Sequence, residues 1–284
     1  MTIAITGAAG QLGSELVRQF GSRAVALDRE SLDITDAEAV RYVLSKIGPR
    51  AVVNAASYTQ VDKAEEEAER CMQVNRDAVG TLAEVCGHLD CPLLHVSTDY
   101  VFGADRQRQT PYTETAEPGP LGVYATSKLE GERQAQRWRK HYIVRTCGLY
   151  GHAGPKTRSG NFVDTMLRLG TQRDTLRVVD DQWCAPTYVP HVARAIVFLL
   201  DSGAHGTYHV VNAGQTTWCR FAREIFRLAG MRVKVEPITT EQYGAAAPRP
   251  KYSVLDTSKY RALGGPGLPD WREAVADYLS TRPD

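Results

Sequence analysis

Tyr124 and Lys128 stand four residues apart in Tyr124-Ala125-Thr126-Ser127-Lys128, a spacing that puts both side chains on one face of a helix. A phenol with an ordinary pKa of about 10 is a poor proton donor or acceptor at neutral pH. A neighbouring ammonium stabilises the phenolate and lowers that pKa, so the pair can exchange a proton with a carbonyl oxygen. Upstream, an apolar run ends in the hydroxyls Ser97-Thr98. Thr98 can hydrogen-bond the same oxygen and fix its orientation. Taken alone, Tyr-x-x-x-Lys is a weak pattern, because any amphipathic helix can carry it.

It gains weight from Thr6-Gly7-Ala8-Ala9-Gly10-Gln11-Leu12-Gly13 near the start of the chain. Gly7 can take the positive-φ turn that leaves a strand, Gly10 lets a diphosphate approach the backbone, and Gly13 lets the next helix pack closely. The helix N-terminus then offers unpaired N–H groups and partial positive charge to phosphate. This is a dinucleotide site. Asp28, 15 residues after Gly13, can accept from ribose hydroxyls and favours NADH. The adjacent Arg29 can pair with a 2′-phosphate and favours NADPH. Both cofactors are therefore expected, with a lean to NADPH.

The elements that must position these groups alternate strand and helix, the signature of a parallel sheet wrapped by helices. Strands are predicted over 2–6, 24–27, 51–54, 93–97, 142–145, 176–179 and 208–211. Helices are predicted over 11–20, 35–47, 62–86, from near 124, and over 161–169, 189–200 and 221–229. Thr35 reads as an N-cap with Glu38 completing a capping box. The run 64–69, rich in Glu, reads as a solvated helix face, and 244–270 as irregular. The fold class is a Rossmann-type doubly wound α/β sheet with a smaller substrate-binding domain. Residues 1–147 and 187–212 are assigned to the first domain, and 148–186 and 213–284 to the second.

Composition excludes other classes. Lys plus Arg number 34 and Asp plus Glu 33, a net charge of +1, which argues against a dedicated nucleic-acid binder. The longest apolar stretch, Ala195 to Leu200, is far short of the ~20 residues needed to span a bilayer. No secretory signal is read, and six scattered cysteines without a CxxC pair read as free thiols in a cytoplasmic protein.

Together these elements resemble the short-chain dehydrogenase/reductase superfamily, in its extended, nucleotide-sugar-modifying branch. Within that branch the chain is similar to the dTDP-4-dehydrorhamnose reductases. The resemblance runs through Val53-Asn54-Ala55-Ala56-Ser57-Tyr58-Thr59, Ser97-Thr98-Asp99-Tyr100-Val101-Phe102, Asn161-Phe162-Val163, Asp181-Gln182, Thr216-Thr217-Trp218 and Pro248-Arg249-Pro250. It implies NAD(P)H-dependent reduction of the C4 ketone of a dTDP-4-keto-6-deoxy sugar. Tyr124 would protonate the alkoxide, with Lys128 and Thr98 assisting. The cofactor would lie against Gly7, Gly10, Gln11, Leu12, Asp28, Arg29, Asp33, Ile34, Ala55, Ala56 and Ser57, with Asn75 supporting that wall and Tyr124 and Lys128 at its reactive end. Thr98, Asp99, Tyr100, Asn161, Trp218 and Arg249 would face the substrate, Arg249 clamping its diphosphate. A monomer or homodimer is implied.

The chain departs from the family pattern in the expected sugar pocket. Arg145-Thr146-Cys147-Gly148 replaces a run ending in Trp, Gly122 a usual Asn, Cys184 a common Gly and Tyr252 a usual Asn. Trp183 is a candidate for the missing aromatic surface. Some members hold magnesium through glutamates at a dimer contact. Glu15 matches one such position, but Val189-Pro190-His191 stands at the other, so no metal is expected. Two rivals remain. A dehydratase or epimerase would recycle its cofactor, although dehydratases place Asp-Glu where this chain has Asp99-Tyr100. A non-catalytic regulatory subunit like that of methionine adenosyltransferase would not need the intact Tyr-Lys pair.

Overall fold

The computed structural model describes residues 2–152 and 160–282. The first half runs β1 Ile3–Thr6, α1 Gln11–Phe20, β2 Ala24–Leu27, α2 Ala37–Ile47, β3 Ala51–Asn54, α3 Ala68–Met72, α4 Ala78–His88, β4 Leu93–Thr98, α5 Gly122–Ala135 and β5 His141–Thr146. It continues with β6 Leu149–Tyr150, α6 Phe162–Gly170, β7 Thr175–Val179, β8 Trp183–Cys184, β9 Thr187–Tyr188, α7 Val189–Ser202 and β10 Gly206–His209. The chain closes with β11 Thr216–Thr217, α8 Trp218–Leu228, β12 Lys234–Ile238, α9 Thr240–Tyr243, α10 Ser258–Ala262 and α11 Trp271–Ser280.

Six strands form one parallel sheet in the order β10-β5-β4-β3-β1-β2. β1 and β3 are buried along their whole length, as expected of strands covered by helices on both faces. Chain order reverses between β1 and β3, and such a switch point opens a crevice at the strand C-termini. Thr6, Leu27, Asn54 and Thr98 end their strands at this edge. One core packs Ile5, Leu16, Leu94, Val144 and Ile196 between the sheet, α1 and α7. A second gathers Tyr150, Val163, Phe221, Trp271 and Tyr278. Tyr260, from the segment assigned to the second domain, packs in the first core instead.

Several local expectations are corrected. The N-cap of α2 is Asp36, whose side chain accepts from the Ala39 N–H; Thr35 instead donates to Asp33 at 2.7 Å. The helix expected over 62–86 starts late, at Ala68 after a short turn at Lys63–Glu65, and then runs continuously from α3 through a π turn at Gln73–Asp77 into α4. π turns widen the backbone where a side chain must be re-aimed, and this one carries Asn75. The glutamates of 64–69 are not merely solvated. Glu65 accepts from the Val123 N–H at 2.8 Å, serving the N-terminus of α5, and Glu67 accepts from the Tyr58 hydroxyl at 2.8 Å. The segment 244–270 carries α10 and bridges between Tyr112 and Leu255 and between Trp183 and Tyr252. Among the described residues no helix is long and apolar enough to cross a membrane.

Candidate active site

The glycine turn is built for close backbone contact. A Cβ on Gly13 would stand 2.1 Å from the Gly7 carbonyl oxygen, and one on Gly7 would stand 2.6 Å from the Ala56 nitrogen. Gly7 also has φ +67°. At the start of α1 no side chain caps the helix and no acid occupies the first turn, so its N–H groups stay free for a diphosphate. The residues present therefore fit a dinucleotide. Overpacking of this kind costs about 1–3 kcal/mol. Gly13→Ala is accordingly expected to weaken dinucleotide binding roughly 10- to 100-fold, read by cofactor fluorescence titration; unchanged affinity would contradict the close-packing account.

At the end of β2, Asp28 is committed to its own turn, accepting from the Ser31 N–H at 2.9 Å and the Ser31 hydroxyl at 2.7 Å. Asp33 accepts from the Thr35 N–H at 2.9 Å, and Ile34 is buried beside it. Two guanidiniums approach Asp33, Arg29 at 3.6 Å and Arg70 at 3.7 Å. Arg70 lies 37 positions from Asp33, beyond the reach of local sequence patterns. On the third-strand wall, Asn75 Oδ1 accepts from the Ser57 hydroxyl and the Tyr58 N–H, both at 2.9 Å. Its Nδ2 donates to the Tyr58 carbonyl at 3.0 Å and the Ser127 hydroxyl at 2.9 Å. Asn75 thus ties the Ala55–Ala56–Ser57 segment to α5.

At the reactive end, Thr98 closes β4 close enough to the Tyr124 phenol to lower its proton affinity, while its own hydroxyl donates to Asp99. Ser97 does not join it. Successive strand residues face opposite sides, and the Ser97 hydroxyl instead donates to buried Glu132. Tyr100 meets Tyr124 edge-on, ring centroids 6.0 Å apart. Asp99 is fully buried, its carboxylate accepting from Thr98 at 3.1 Å and from the Ser253 hydroxyl. Burial pushes it up to about 6, against hydrogen bonds from Ser253, Cys147 and Thr98. Its oxygens are thus engaged within the protein.

The electrostatics differ from expectation. Burial raises the Tyr124 phenol above its ordinary value, the Thr98 hydroxyl opposing and the Asp99 charge reinforcing the rise. Lys128 has partners of its own. Its Nζ donates to the Val96 carbonyl at 2.7 Å and lies 3.4 Å from His95 Nε2, and burial pushes the amine down to about 8 while Glu132 opposes the drop. His95 and Asn54, which complete this buried cluster, were missed; polar residues inside otherwise apolar strands were the available signal.

The substrate-side candidates are dispersed. Arg249 donates to both oxygens of Asp62, at 2.9 and 2.7 Å, so its fork already holds a carboxylate instead of standing open for a diphosphate. Asn161 is the N-cap of α6, and its amide also donates to the Gly151 carbonyl and the Tyr278 hydroxyl, both at 3.2 Å. Trp218 lies over Gly148, where an added Cβ would meet its Cη2 at 2.9 Å. It therefore packs directly on the Gly148 backbone. Trp183 is partly exposed, with the Arg220 guanidinium 4.6 Å above its ring. Glu15 pairs with Arg18 and Gln19. Among the described residues no group of three or more His, Cys, Asp or Glu is placed to hold a metal ion.

Comparison with known proteins agrees with this geometry. The RmlD substrate binding domain family matches residues 1–282. A dTDP-4-dehydrorhamnose reductase of Streptomyces griseus is 41% identical over 284 residues, 96% of this chain and 91% of that protein. One from Mycolicibacterium smegmatis is 39% identical over 98% of this chain and 85% of its own length. The crystal structure of the Bacillus anthracis dTDP-4-dehydrorhamnose reductase in complex with NADP superposes with a TM-score of 0.94 at 38% identity, covering 99% of this chain and 100% of that one. A match running the length of the molecule, through both cores and every element of the crevice, places the chain in the RmlD substrate-binding-domain family, that of the dTDP-4-dehydrorhamnose reductases.

Proposed function

We propose that this chain reduces the C4 ketone of dTDP-4-dehydro-L-rhamnose to give dTDP-L-rhamnose, with NADPH as reductant and NADH as a weaker substitute. The observation that carries the reading is the Tyr124 phenol on α5 brought beside Thr98 at the sheet's C-terminal edge, with Lys128 one turn along the same helix. The glycine turn and the Ala55–Ser57 wall would hold NADPH, which when bound would supply the hydride. Thr98 orients the ketone oxygen, and Tyr124 donates its phenolic proton to that oxygen as it becomes an alkoxide. A high phenol pKa suits this direction, because Tyr124 enters the reaction protonated. The Lys128 ammonium stabilises the phenolate left behind and holds the nicotinamide ribose.

NADPH is favoured over NADH by Arg29 and Arg70 converging beside the end of β2, two cations suited to a 2′-phosphate. Net reduction is favoured over dehydration because Asp99 is engaged with Thr98 and Ser253, and Tyr100 offers no carboxylate. The division at 147 and 187–212, with the sugar nucleotide bound between two lobes, draws support from a main core in each lobe. Tyr188 and Tyr260 cross between them, and a further cluster of Phe102, Val211, Tyr252 and Leu255 joins the lobes. Six unpaired cysteines fit a reducing cytoplasm. Exposed large apolar side chains are confined, among the described residues, to Tyr42 and Tyr243, in keeping with a monomer or a modest homodimer.

The test is to incubate the protein with dTDP-4-keto-6-deoxy sugars and follow NADPH absorbance. Loss in proportion to product is expected. Turnover without NADPH loss would point to an epimerase or dehydratase, and cofactor binding without turnover to a regulatory subunit.

A further inference from the structure

His95 lies fully buried in mid-β4, with its ring between the Asn54 amide and the Lys128 amine. The orientation of the neighbouring Asn54 amide is fixed. Its Oδ1 accepts from the Thr6 hydroxyl at 2.7 Å and from the Ala56 N–H at 3.2 Å, so the opposite end, Nδ2, is the donor that meets His95 Nδ1 at 3.1 Å. An Nδ1 that accepts cannot also carry a proton. The neutral ring therefore bears its hydrogen on Nε2, which faces Lys128 Nζ at 3.4 Å. A doubly protonated ring is disfavoured by burial and by the lysine charge.

An N–H aimed at an ammonium sets donor against donor, whereas the same N–H aimed at a free amine makes a hydrogen bond. We propose that His95 is a positioning residue for Lys128: held in one tautomer by Asn54, it presses against the charged lysine and sets the pH above which the ammonium is lost. The other groups around Lys128 act in known directions. Glu132, one turn along α5, favours the ammonium, as does Cys71 from α3; Ser127 and Asn75 are neutral and bonded to each other. Among these neighbours, His95 presents the opposing donor.

This inference rests on the reading that Lys128 serves Tyr124 in ketone reduction. It is tested by measuring kcat/KM against pH, together with the pH dependence of the NADPH dissociation constant by fluorescence. In the unmodified enzyme both should decline as pH rises through about 8, since the ammonium is the competent form. His95→Leu removes the opposing donor, and His95→Asn keeps a polar partner for Asn54 while falling short of Lys128. Each is expected to move the decline upward by about one pH unit. His95→Gln, which can keep an acceptor toward Asn54 and a donor toward Lys128, is expected to leave it in place.

An unmoved decline in the Leu variant, or an equal shift in the Gln variant, overturns the proposal. If the Leu variant does not fold, the His95→Asn profile decides in the same sense. Absence of ketone turnover in the unmodified protein would instead sink the functional reading, while the NADPH-binding profile would still report on His95.

Discussion

Replacing Tyr124 by Phe is expected to lower kcat about 10²- to 10⁴-fold, the contribution typical of a positioned proton donor, while leaving NADPH affinity within a few-fold. The ring stays, and with it the edge contact to Tyr100. Lys128 keeps its hydrogen bond to the Val96 carbonyl, which does not involve the phenol. Only the hydroxyl is lost, the group that stands beside Thr98. The alkoxide would then have to take its proton from water. Stopped-flow measurement of NADPH oxidation with a parallel fluorescence titration separates the two effects. Undiminished turnover in this variant would remove Tyr124 from the mechanism; a matching collapse of cofactor affinity would make its role structural.

The second large effect concerns stability. Glu132 on α5 and Arg145 on β5 form a two-pronged ion pair, Nε to Oε1 at 2.9 Å and the terminal nitrogen to Oε2 at 2.7 Å, with side-chain exposures of 1% and 5%. Ser97 donates to the same carboxylate. Arg145 also faces the Phe102 ring at 5.1 Å and lies 3.4 Å from His209. Burial and the Arg145 charge push that imidazole down to about 3, so it cannot share the charge. Glu132→Ala therefore strands a buried guanidinium and a buried hydroxyl, and a loss of about 3–5 kcal/mol is expected in urea unfolding. Replacing Glu132 and Arg145 together by Leu and Met should cost far less, because no uncompensated charge remains. A single-variant loss below about 1 kcal/mol would mean that water reaches the pair, contrary to its burial.

How legible the site was depended on chain distance. Gly7, Gly10 and Gly13 announced the dinucleotide turn because their roles are local: a turn, a close approach and a helix start within eight residues. Tyr124 and Lys128 were legible for the same reason, since one helical turn fixes their common face. The short strands β6, β8, β9 and β11, two residues each, are too brief to show any periodicity. Neither β12, interrupted by Pro237, nor α11 was anticipated. Asp36 displaced Thr35 as the cap of α2 because Thr35 was drawn to Asp33, a competition among adjacent polar residues that a capping pattern does not weigh.

The amino-acid order alone determined the alternation of strand and helix, the phosphate-binding turn, and the identity of a phenol and an amine on one helix face. These follow from steric and hydrogen-bonding rules acting over a few residues. Only the tertiary structure decided what each charged group answers to. It gave Lys128 to the Val96 carbonyl and His95, Arg249 to Asp62 across 187 positions, and Ser97 to Glu132 instead of the reactive edge. Burial then set the proton affinities of Lys128, Asp99 and Tyr124. Charge and solvation depend on which groups lie within a few ångströms in space, and chain folding, not sequence spacing, chooses them.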